Sequence, residues 1–83
     1  MAVPDFSLCD ASEDEMAALI YRITDELSSR GTSESFAEML KVVAYVGVRV
    51  GDSARQLAAS NSWSQVAQVS GTSKQAAWER WRS

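Results

Sequence analysis

The sequence predicts an all-α fold: an N-terminal helix, a long central helix and a C-terminal helix-turn-helix, paired as a two-fold dimer. Three observations carry that expectation. Apolar residues recur at three- and four-residue steps from Met16 to Leu57, the spacing of one face of a helix. After Pro4 no proline interrupts the chain. Gly31 and Gly71 each follow a periodic run and precede hydroxyl residues able to cap the next helix.

Residues 1–11 read as an arm. It holds Pro4, Asp5 and Asp10, with Phe6 and Leu8 alternating. Two readings stand for it: a segment packed on the body or on a partner, or a loosely ordered terminus. Ser12 and Glu15 then have capping-box spacing, with Glu13 and Asp14 in the first turn, where the helix dipole favours acids. Met16, Leu19, Ile20, Ile23 and Leu27 make an amphipathic stripe, Arg30 falls in the last turn and Gly31 is the C-cap. These signals predict a helix over about residues 13–30.

Thr32 or Ser33 starts the next helix. Phe36, Leu40, Val43, Gly47, Val50, Ala54 and Leu57 step alternately by four and three, the 3.5-residue period of a helix packed lengthwise on another. One long helix over roughly 33–59 follows. Met39, Val42 and Val46 widen its stripe beyond one seam. Gly47 and Gly51 cost about 1 kcal/mol each against alanine. Four apart, they share a face where another helix can approach closely. The alternative is a break at Gly51-Asp52-Ser53, with Ser53 capping a second piece from Ala54. The valines of this stretch favour strand, but the 3.5 period and the length argue against one.

Residues 61–83 read as helix, tight turn, helix. Ser62 caps a short helix to about Val69, and Gly71 supplies the positive φ of a sharp turn. Thr72 or Ser73 caps a second helix from Lys74. Ala67, four residues before Gly71, is small enough for the second helix to cross close over the first. Val66, Ala77 and Trp81 supply apolar contacts between the two. Lys74, Gln75, Trp78 and Arg82 then share the outer side of the second helix.

Size and charge add constraints. Eighty-three residues make one small domain, whose thin core is marginal alone. The predicted remedy is a second copy along the seam of Phe36, Leu40, Val43, Gly47 and Val50, on the helical body of residues 12–60. The net charge of −3 argues against a nucleic-acid partner, but its distribution argues for one. Residues 1–54 carry ten acids and four bases, whereas residues 55–83 carry Arg55, Lys74, Arg80 and Arg82 against Glu79. A basic end on an acidic body fits a DNA reader whose non-specific binding is restrained.

The run Trp63-Ser-Gln-Val66-Ala67 followed by Gly71-Thr-Ser73-Lys74-Gln75-Ala76-Ala77-Trp78-Glu79-Arg80-Trp81 resembles the helix-turn-helix of small bacterial transcription regulators, common in actinobacteria and phage. Their pattern is similar to Ser-Trp-(Ala/Ser)-x-Ile-(Gly/Ala)-x-x-Leu-Gly-Val-Ser-(Arg/Lys)-Gln-Ala-Ala-x-x-Arg-(Phe/Trp). The match covers about a quarter of the chain. Ser70 stands where that family has Leu, and Thr72 where it has Val; both positions normally pack under the turn. The resemblance implies double-stranded DNA as partner. In that setting Gln75 suits bidentate reading of adenine, while Lys74 reads guanine or contacts phosphate. Ser73 and the helix N-terminus hold phosphate, and Arg82 and Arg55 add phosphate contacts. Trp78 lies against a thymine methyl or a sugar, or is buried. Trp63 and Trp81 belong to the core. Promoter blocking is the simplest mechanism for a chain without an effector domain.

Other chemistry finds no residues to support it. The chain has no histidine and one cysteine, Cys9, so the usual zinc and cysteine–histidine sites are missing. No phosphate-cradling glycine loop occurs, and no base accompanies the serines. Glu13-Asp14-Glu15 reads as a solvated helix start rather than a metal site. The expectation is therefore a non-enzyme without cofactor or metal. With no leader, no apolar span and no possible internal disulfide, it is expected in the cytoplasm. The rival expectation is a helical protein-interaction module, a docking or anti-regulator protein with a degenerate turn.

Overall fold

A computed structural model describes residues 8–83. Pro4, Asp5 and Phe6 of the expected arm lie outside the described residues. Those that are described are helical and include no strand. A 3-10 turn at Leu8–Asp10 precedes four α-helices: α1 (Glu13–Ser29), α2 (Ser33–Ser60), α3 (Trp63–Ser70) and α4 (Lys74–Trp81). None of them is long and apolar enough to cross a membrane. The chain divides into two compact units, residues 1–40 and 41–83.

The first unit contains α1 and the opening turns of α2. Ser12 caps α1 through its hydroxyl, which accepts from the Glu15 amide at 3.3 Å. The reciprocal partner is Asp14 rather than the Glu15 side chain expected from the spacing. Ser12 donates to the Asp14 carboxylate at 2.6 Å, and Asp14 in turn accepts from the Glu15 amide at 3.1 Å. Arg30 closes the helix and Gly31 follows at φ 65°, a left-handed position open to glycine without a Cβ penalty. Of the two possible starts of α2, the cap is Thr32. Its hydroxyl accepts from the Ser35 amide at 3.0 Å while Ser35 accepts from the Thr32 amide at 3.3 Å. Ser35 is buried. No residue of α1 is buried; Leu19, Ile20 and Ile23 are exposed.

α2 runs unbroken through Gly47 and Gly51, so the break at Gly51-Asp52-Ser53 does not occur. A network of side chains spans the weak point. Asp52 accepts from Arg49 at 3.1 Å and from Arg55 at 2.6 Å, one turn to either side. The Arg55 guanidinium lies over Gly51, 3.2 Å from where a Cβ would stand. Gly51 is thus covered by Arg55 and is not open to a second helix. Gly47 differs: a Cβ there would meet nothing within 4 Å.

The second unit has a core. Val66 and Ala67 of α3 and Ala77 of α4 are buried, Ala77 completely. Ala54, Leu57 and Ala58 from the end of α2 pack around them, with Trp63 and Trp81. The roles expected of Val66, Ala67, Ala77, Trp63 and Trp81 are those observed. Two alanines at the contact let α3 and α4 approach closely, and the larger side chains seal the rim.

Candidate nucleic-acid interface

The turn between α3 and α4 sets the direction of α4. Gly71 adopts φ 71°, and its amide and that of Thr72 both donate to the Ala67 carbonyl. Ser70 and Thr72, which replace apolar residues of the resembled pattern, hold the turn by hydrogen bonds. The Ser70 hydroxyl donates to the Val66 carbonyl at 2.8 Å and shares a 3.0 Å bond with the Thr72 hydroxyl. Of the two residues able to cap α4, Ser73 does so, accepting from the Ala76 amide at 3.1 Å. Its hydroxyl keeps its own proton as a donor.

Opposite the buried Ala77, α4 turns an exposed face outward. Lys74, Gln75 and Trp78 border one shallow hollow. The Arg82 guanidinium stacks over the Trp78 ring, 4.7 Å from its centre, so the indole plane and the charge form one unit. Trp78 is 40% exposed, which settles its placement outside the core. Arg80 lies over Trp81 at 5.0 Å. Lys74, Gln75, Trp78 and Arg82 therefore come together as the helical spacing predicts, with Ser73 at their N-terminal edge.

Arg55 is the exception among the predicted site residues. It donates to the Trp81 carbonyl at 2.9 Å and to Asp52 at 2.6 Å. Its charge is offset by Asp52, and its fork ties the last turn of α4 to α2. The structure shows it as a strut between the two helices, one-third exposed. The signal was present in the sequence as Asp52 three residues before Arg55, at the spacing of a helical ion pair.

Glu79 lies one turn beyond Gln75, and the Gln75 amide nitrogen donates to its carboxylate at 2.9 Å. The i, i+4 spacing makes this pair legible in the sequence.

The predicted self-interface is uncovered within the chain. Phe36 is 66% exposed, Leu40 58% and Val43 67%. Val50 is also exposed, and Gly47 faces open space. Among the described residues no cluster of His, Cys, Asp or Glu could hold a metal ion. Compared with protein-family models, with curated proteins and with solved structures, the chain has no match.

Proposed function

We propose that the protein binds double-stranded DNA sequence-specifically, as a homodimeric transcription regulator that represses by occupying a promoter. In this reading α3, the Gly71 turn and α4 are a helix-turn-helix, and α4 is the recognition helix. The observation that carries it is the two-sided character of α4. One side is anchored by the fully buried Ala77, and the other presents Lys74, Gln75, Trp78 and Arg82 together. An eight-residue helix is about 12 Å long, a size that the major groove admits. Lys74, Arg80 and Arg82 supply phosphate contacts, Gln75 a bidentate base contact and Trp78 an apolar plane.

The dimer is supported by the bare apolar seam of α2 and by the stripe of α1. Fully covering a large apolar side chain stabilises by about 1.5–3 kcal/mol. Leu19, Ile20, Ile23, Phe36, Leu40 and Val43 offer that surface in each copy. A second copy carries the same matched stripes, and a two-fold pair is the commonest way to cover them. It would hold two copies of α4 roughly 34 Å apart on an inverted repeat.

Binding of genomic DNA fragments, measured against salt, tests this reading. Three cations from each copy neutralise up to about six phosphates, so log K should fall against log salt with a slope near −5. No retention of DNA at low salt, or a slope near zero, removes the reading. It would leave the rival, a helical docking module, which the bare stripe of α1 supports.

A further inference from the structure

We propose that Glu79 is a positioning residue that makes Gln75 select adenine over guanine; the inference rests on the DNA-binding reading of α4. A carboxylate can only accept hydrogen bonds. The group of Gln75 that faces Glu79 at 2.9 Å must therefore be its NH2 and not its carbonyl oxygen. That contact fixes the sense of the amide and occupies one of its two N–H donors. What remains for a base edge is one N–H and the carbonyl oxygen.

Adenine presents the complement of that pair, an N7 acceptor beside an N6 donor. Guanine presents two acceptors, N7 and O6. A free glutamine can turn its NH2 toward guanine and give both hydrogens. With one hydrogen held by Glu79 and the oxygen pointing outward, guanine meets a single donor and a repelling acceptor. The 2.9 Å bond thus converts an adaptable side chain into a selective one. The carboxylate also sits on a face otherwise set with Lys74 and Arg82, where it weakens attraction to any phosphate regardless of sequence.

Both effects are separable by selection from a random double-stranded library, run with four proteins: wild type, Gln75→Ala, Glu79→Ala and the double variant. Glu79 is exposed on a helix, so alanine leaves the fold intact, and circular dichroism verifies that. Wild type should enrich a motif with adenine at one position per half-site, and Gln75→Ala identifies that position by losing it. Glu79→Ala should bind random DNA more tightly. Its preference for adenine over guanine at that same position should fall on the order of tenfold. In base preference the double variant should match Gln75→Ala, because Glu79 selects bases only through Gln75, while it keeps the tighter random binding of Glu79→Ala. A Glu79→Ala motif unchanged from wild type overturns the inference while leaving DNA binding intact. So does loss of a second base in the double variant, which would mean that Glu79 reads a base itself. A wild-type protein that enriches no motif overturns the underlying reading instead.

Discussion

The end of the chain and the stretch before it treat apolar residues in opposite ways. From Ala54 to Trp81 the residues at the centre of packing are small: Ala67 and Ala77 are buried and Ala54 and Ala58 pack beside them. In α1 and in α2 up to Val50 the apolar residues are large, and Leu40, Val43, Ile20 and Phe36 are exposed. Small residues let two helices of one chain approach within a short turn. Large residues at a 3.5 period bury surface only when another helix of matching period lies alongside. One region thus folds on itself, whereas the other leaves its large apolar residues uncovered within the chain.

Gly47→Leu tests that contrast most severely, because its sign depends on the partner. For an isolated chain the change is favourable by about 1 kcal/mol, since leucine is the better helix former and nothing stands within 4 Å of the new Cβ. In a dimer packed along the seam, the same leucine forces the helices apart. Light scattering should then report monomer. DNA affinity should drop about 100-fold or more, because the two half-sites no longer share one binder. A variant that is more stable, still dimeric and normal on DNA would place the interface elsewhere.

A pair of identical substitutions compares the two regions directly. Ala77→Leu adds three carbons where no solvent reaches, and overpacking there should cost about 1–3 kcal/mol. Ala18→Leu makes the same change on an exposed turn of α1, where the effect should stay within about 0.5 kcal/mol. Urea unfolding followed by fluorescence of Trp63 and Trp81 reads the first loss, since both rings pack against the core. Similar costs at the two positions would mean that α1 is already buried in the folded protein.

What was legible in the sequence follows from range. Caps and turns are local, so Ser12, Gly31, Ser62 and Gly71 could be placed from neighbours alone, and the cap of α4 narrowed to Thr72 or Ser73. Helical spacing is local too, so Lys74, Gln75, Trp78 and Arg82 could be put on one face. The continuity of α2 was open, because Gly51-Asp52-Ser53 carries both breaking and capping residues. The helix runs through, and the Arg49–Asp52–Arg55 chain of ion pairs lies along it there. The tie of Arg55 to α4 was not legible because the Trp81 carbonyl is 26 residues away; no periodicity reports such a contact. A charge tally likewise reports the sign of Glu79 and not its 2.9 Å bond with Gln75.

The smallest expected effect distinguishes the regions by pH. The hydrogen bond from Ser12 holds the Asp14 carboxyl below its ordinary value of 3.8, and bonds from the Asp14 and Glu15 amides act in the same direction. A carboxyl lowered on folding contributes stability that is present above its unfolded value and is lost as pH falls through the folded one. The loss therefore falls below pH 3.8 and concerns the first turn of α1. Because Asp14 is fully exposed, the change should be slight, a fraying of one turn. Asn at this position still accepts from the Ser12 hydroxyl and the Glu15 amide but has no proton to take up. Acid titration by far-ultraviolet circular dichroism should show wild type losing slightly more helix than Asp14→Asn below that pH. The Trp63 and Trp81 fluorescence of the two proteins should stay superimposable, because their core lies at the other end of the chain. If the two acid titrations of helix content coincide, Asp14 is not part of the cap in solution. If they differ and the tryptophan signal differs with them, the two regions unfold as one and the contrast between them is lost.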